Sequence, residues 1–164
     1  SDFLAAIPSK DRKKNYLYWA FKSPKFMSTY IYQTNYLPAV QVMSIKADSF
    51  PKGIITAFAR LENALPSPKG RRFYGVRYNV GTEIAYRACV VPLVEGEFEL
   101  YGLERFTIPA GQYAQIMLCN WQSEPPQTKA IFKDMAQCFA QDTSRPQIEF
   151  YKNANEMWLY LPIL

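Results

Sequence analysis

Leu37-Pro38-Ala39-Val40-Gln41-Val42-Met43-Ser44-Ile45 returns further along the chain as Ile108-Pro109-Ala110-Gly111-Gln112-Tyr113-Ala114-Gln115-Ile116. The same offset carries Val90-Val91-Pro92-Leu93 onto Leu161-Pro162-Ile163-Leu164. Two matches at one spacing mark an internal duplication, and self-similarity of this kind governs the reading of everything between.

Each copy reads alike. A strand comes first, over 40–46 and again over 112–118. A helix follows. Ile54, Phe58, Leu61 and Leu65 fall on one helical face, and Pro66, Pro68 and Gly70 end the segment. Thr128, Ile131, Met135 and Phe139 (or Cys138) repeat that spacing, with Pro125 and Pro126 suited to the first turn and Ser123 as a candidate cap. Two strands close each copy, around 73–79 and 86–93, then 147–152 and 157–163. Gly81-Thr82-Glu83 and Asn153-Ala154-Asn155 break them as turns.

The pattern is β-α-β-β, twice. The expected fold is α+β: two duplicated units related by a pseudo-two-fold axis, with halves at about 36–94 and 106–164. A curved, barrel-like antiparallel sheet would carry two helices on one side. A ligand groove is expected along the pseudo-axis, on the side away from the helices.

Composition bounds the function. At 164 residues the chain suits one domain. Tyr and Phe dominate its aromatics, and Tyr favours places where one end stays polar, which leans towards a pocket. No run of about 18 apolar residues suggests a membrane span. The opening Ser1-Asp2-Phe3 shows no long apolar region of the secretory kind. Cys89, Cys119 and Cys138 are odd in number and far apart, as expected of thiols in a reducing cytoplasm.

There is no histidine, which removes Ser-His and Cys-His nucleophile pairs and histidine metal sites. No phosphate-loop or dinucleotide fingerprint occurs. Glu95, Glu97 and Glu99 alternate as one strand face would, and read as a solvated edge. No catalytic residue, metal or cofactor is expected.

Charge is uneven. Residues 1–27 hold six basic side chains (Lys10, Arg12, Lys13, Lys14, Lys22, Lys25) against Asp2 and Asp11. The remainder, 28–164, is nearly balanced, so a domain-wide footprint for nucleic acid is missing. The leading arm interleaves Lys13, Lys14, Tyr16, Tyr18, Trp19, Phe21 and Lys22. It reads as a segment packing on its own domain or on a second copy, with contact to nucleic acid or a membrane surface as the alternative.

Five elements in order resemble a known family: Phe73-Tyr74-Gly75-Val76-Arg77-Tyr78-Asn79, Tyr86-Arg87-Ala88-Cys89-Val90, Phe106 to Ala114, Pro146-Gln147-Ile148-Glu149-Phe150-Tyr151, and Trp158-Leu159-Tyr160-Leu161-Pro162-Ile163. Together they look like the GyrI-like domain, the bacterial effector-binding domain of AraC-type and MerR-type transcription regulators. The resemblance covers roughly 36–164. It implies the duplicated fold, a pocket for amphipathic and often cationic compounds of the multidrug kind, and a pocket glutamate in the P-x-x-E-x-Y element. That glutamate falls on Glu149, with Tyr151 two residues on. It departs at Cys119-Asn120-Trp121, where the family more often has glycine.

Glu149 and Tyr151 share one strand face, and Ile148 and Phe150 the other. If Ile148 and Phe150 pack on the helices, Glu149 points into the groove, where an organic cation would partner it and electron-rich rings would add about 0.5–2 kcal/mol per contact. Glu149 exposed to water, or bridged to Arg77 or Arg87, is the competing reading. Tyr74 and Tyr78 lie on one face of their strand, and Tyr86 on a face of the next; either set could line the groove. Trp121 reads equally as a lid or as a surface ring. Met43 reads as core before pocket wall.

The expectation is a cytoplasmic sensor or sequestering protein, or the effector domain of a transcription regulator, binding a small cationic aromatic compound. A homodimer is compatible with it. The alternatives are a protein-binding modulator, as a gyrase-inhibiting relative would be, and a hydrolase of strained cyclopropane cytotoxins.

Overall fold

The computed structural model describes residues 28–123 and 126–164, and the leading arm over 1–27 lies outside the described residues. Eight strands form one antiparallel sheet that curls into a half-barrel. In chain order they are β1 (Gln33–Leu37), β2 (Val40–Lys46), β3 (Phe73–Val80), β4 (Glu83–Val90), β5 (Glu104–Ile108), β6 (Gly111–Cys119), β7 (Gln147–Tyr151) and β8 (Glu156–Pro162). Helix α1 (Ile54–Ala64) follows β2, α2 (Glu97–Leu100) lies between the halves, and α3 (Thr128–Cys138) follows β6.

The strand order is β1-β6-β8-β7-β3-β4-β2-β5. The order reads as a palindrome of equivalent strands about the β7–β3 junction, so the duplication is visible in the sheet itself. At that junction Gly75 stands opposite Glu149 and Arg77 opposite Gln147. The strands β1 and β5, just before the repeated Leu37-Pro38 and Ile108-Pro109, were not anticipated. They are half-exposed edge strands with little alternation, and their pairing across the pseudo-axis, β1 with β6 and β2 with β5, is a long-range event.

Each helix covers its own half. Leu61 and Ala57 of α1 pack on Met43, Tyr86, Ala88 and Val90. Ile131, Phe132 and Met135 of α3 pack on Ala114, Ile116, Leu118, Met157, Leu159 and Leu161. Helix α1 ends where Leu65 turns extended (φ −97, ψ 148), the conformation a following proline imposes. Gln127 takes the cap position of α3, while Ser123 instead donates to the Asn120 carbonyl.

The other face of the sheet has its own core of Val42, Tyr74, Val76, Cys89, Ile108, Tyr113 and Ile148. Both faces are therefore buried over much of their area, which explains why β3 reads as a nearly continuous buried run.

The acidic stretch differs from its expected form. Residues 97–100 are helical, with Glu97 and Phe98 turned inward. Arg71 clamps Glu97 with two hydrogen bonds of 2.7 Å, and the Leu93 amide donates a third at 2.8 Å. A single buried partner thus converts one glutamate of an apparent solvated edge into an anchor for the connection between halves.

Candidate functional site

Strands β3 and β7 run along the seam between α1 and α3, where Phe73 packs against the α1 core and Tyr151 against the α3 core. Three rows of side chains cross them on the helix face. Ala88, Gly75, Glu149 and Leu159 form the middle row. Tyr86, Arg77 and Gln147 form the row on one side, and Val90, Phe73, Tyr151 and Met157 the row on the other.

Glu149 is only 6% exposed. Its Oε2 accepts a hydrogen bond from the Tyr86 hydroxyl at 2.8 Å and another from the Tyr151 hydroxyl at 2.5 Å; the two hydroxyl oxygens are 3.3 Å apart. Burial pushes both tyrosine hydroxyls well above their ordinary range, and the Glu149 charge pushes them further. They stay protonated and remain donors.

This convergence depends on Gly75. A Cβ there would lie 1.9 Å from the Tyr86 hydroxyl and 2.8 Å from Glu149 Oε2, so only glycine leaves room for them to meet.

Aromatic rings enclose the carboxylate. Phe50, on the loop before α1, stacks on Tyr86 at 6.1 Å. Phe58 of α1 meets Tyr86 and Tyr151 edge-on at 6.3 and 5.4 Å. Trp121, on the loop after β6, lies 5.0 Å from Tyr151 and is held by its indole N–H to the Asn153 carbonyl at 2.7 Å.

Among the described residues no cation forms an ion pair with Glu149. Arg77 is the nearest candidate on the sheet, diagonal to Glu149 through Gly75. Its guanidinium lies over the rings of Phe50 and Phe132, 5.0 and 5.6 Å from their centroids. Burial lowers its pKa, and Glu149 acts in the opposite sense. Arg87 is on the other face, paired with Glu104 at 2.6 Å.

The expected residues are thus divided. The structure brings Glu149, Tyr151, Tyr86 and Trp121 together. Tyr74 and Tyr78 face the other way: Tyr74 stacks on Phe150 at 4.7 Å, and Tyr78 stacks on Phe106 at 6.2 Å and accepts a hydrogen bond from Arg87. Met43 is wholly buried beneath α1. The face itself is reversed from expectation. Ile148 and Phe150 pack in the core away from the helices, and Glu149 and Tyr151 lie on the helix side.

Sequence reasoning missed Gly75, Phe50, Phe58 and Phe132 as parts of this assembly. Phe58 and Phe132 occupy corresponding places in the two duplicated helices, and that correspondence was the available signal.

No group of acidic and thiol side chains suited to a metal ion occurs among the described residues. None of the described helices is long and apolar enough to cross a membrane.

Neither a family model nor a curated protein sequence matches this chain. Solved structures do. An integron cassette protein from the mobile metagenome of Vibrio cholerae, VCH_CASS2, superposes with a TM-score of 0.58 at 14% identity, over 81% of this chain and 95% of that one. The C-terminal domain of EcmrR gives 0.55 at 11% identity, over 84% and 99%. SAV2435, solved bound to tetraphenylphosphonium, gives 0.54 at 11% identity, over 82% and 94%. At these identities the likeness is one of fold alone.

Proposed function

We propose that this chain binds a small amphipathic aromatic compound bearing a positive charge, in the seam between α1 and α3, with Glu149 as the counter-charge. One observation carries this: a carboxylate 6% exposed, oriented by two tyrosine hydroxyls, ringed by aromatic side chains, and without an ion-pair partner among the described residues. Burying an unpaired carboxylate is costly, and a cation offers the missing partner while ring faces add to the attraction. The fold shared with SAV2435, which holds an organic cation, supports the same reading. The fold shared with the C-terminal domain of EcmrR, a protein solved in complex with DNA, supports the role of a regulator's domain.

The role would be that of a sensor, a sequestering protein or the effector domain of a transcription regulator in the cytoplasm. No bond is made or broken in this scheme.

The test is calorimetric titration with tetraphenylphosphonium, planar ethidium and neutral triphenylphosphine oxide, on the intact protein and on Glu149→Gln. Cation binding that weakens tenfold or more in the variant, near 1.4 kcal/mol, is the expected result. Equal binding by both proteins removes Glu149 from the site. Mass spectrometry of the recovered compound should show it unchanged; a hydrolysed product would replace the binding role with a hydrolytic one. A stable complex with another protein that these compounds do not compete away would favour a modulator of macromolecules.

A further inference from the structure

Arg77 sets a positive charge in the same seam as Glu149, and among the described residues no hydrogen bond or ion pair satisfies it. Its side chain belongs to a residue only 8% exposed. Its guanidinium lies over two rings from different halves of the molecule, Phe50 and Phe132. Contact with ring faces leaves the N–H groups at the edge of the guanidinium plane unused, and none of them makes a hydrogen bond or an ion pair within the described residues. None is sealed off entirely either: Arg145 Nη1 is the buried side-chain nitrogen without a partner. A guanidinium carries five donors in a planar fork suited to a carboxylate or another oxyanion. Because these donors still reach the seam's remaining solvent, they are open to an oxyanion that takes the place of water.

Position adds to this. Glu149 pairs with Gly75, and Arg77 is the next residue on the same face of β3. Diagonal neighbours of this kind are roughly 7–8 Å apart, with aromatic rings on both sides. The seam is therefore bipolar. A simple cation would gain from Glu149 and lose to Arg77.

We infer that the compound accommodated here carries two polar ends on an aromatic spacer: an ammonium or similar donor for Glu149, and a carboxylate or comparable oxyanion for the guanidinium of Arg77. This rests on the binding role proposed above and narrows its ligand class from aromatic cations to aromatic zwitterions.

The probes are 4-(aminomethyl)benzoate, 4-(aminomethyl)benzamide and benzylamine. They share a ring and an ammonium and differ at the far end. On the intact protein the benzoate should bind at least tenfold tighter than either other compound. Arg77→Gln should erase that preference and strengthen benzylamine binding, because a repelling charge is gone. Arg77→Lys keeps the charge without the fork and should retain part of the preference, which also guards against a Gln variant that fails to fold.

Equal or weaker binding of the benzoate by the intact protein overturns the inference, as does a preference that survives in Arg77→Gln. If benzylamine binds in a Glu149-dependent way without any preference for the benzoate, this inference falls and the cation-binding role stands. If no probe binds here and no cation binds in the preceding experiment, both fall.

Discussion

Gly75 and Glu149 face each other across the β3–β7 ladder at the pseudo-two-fold junction, and the missing side chain of one makes the position of the other possible. A methyl group at Gly75 would occupy the place where the Tyr86 hydroxyl meets Glu149 Oε2. Gly75→Ala is therefore expected to destabilise the fold by about 1–3 kcal/mol, the usual range for overpacking. It should also displace Tyr86 and weaken ligand binding. Thermal denaturation and calorimetry on the same variant check the two effects. A variant as stable as the parent with unaltered binding would show that Tyr86 does not need this space.

Tyr86→Phe and Tyr151→Phe each remove one donor to the same carboxylate oxygen. A hydrogen bond to a charged group contributes about 1.5–3 kcal/mol, so each single variant should lose stability on that scale. Because both hydroxyls share one acceptor, the double variant should differ from the sum of the singles by about 0.5 kcal/mol or more. Urea denaturation of the four proteins measures the coupling. Strict additivity would mean that the two hydroxyls act independently.

Acid should loosen the link between halves. The Arg71 guanidinium holds the Glu97 carboxyl down, from 4.5 to about 2. Arg145 and Ser144 hold Asp142 at about 2 in the same way. A carboxyl lowered by folding contributes stability that is complete above its unfolded value and is lost as pH falls towards the folded one. The melting temperature should therefore drop between about pH 4.5 and pH 2. Glu97→Gln leaves Arg71 buried without its counter-charge, which costs about 3 kcal/mol at neutral pH, and it should flatten the slope in that acid window. An unchanged slope would remove Glu97 from the acid response.

Trp121 reports on the face that is used. It touches Tyr151 in the seam, whereas Trp158 stacks on Tyr160 on the other face of the sheet. Ligand addition should change the fluorescence of the intact protein, and the change should vanish in Trp121→Phe and persist in Trp158→Phe. The reverse outcome would move the ligand to the opposite face, beside Tyr74 and Tyr78.

The duplicated β-α-β-β pattern was legible in the sequence because repetition and helical spacing are local properties. Ile54, Leu61, Ile131 and Met135 declare a helix face without knowledge of the partner. The pairing of Glu149 with Tyr151 on one strand face was legible too, since alternation is a property of any strand. Which face that would be was not. Both sides of this sheet carry a core, so Ile148 and Phe150 look as suited to a helix as to the opposite cluster.

The chain order by itself determined the two β-α-β-β units, their duplication and the shared strand face of Glu149 and Tyr151. Only the tertiary structure decided that Gly75, Tyr86 and Glu149 meet at one point, that Arg77 lies across the seam from them, and that Glu97 is an anchor. Each of those depends on strands far apart in sequence lying side by side. Sheet pairing is long-range, and periodicity along one strand carries no information about which neighbour it will find.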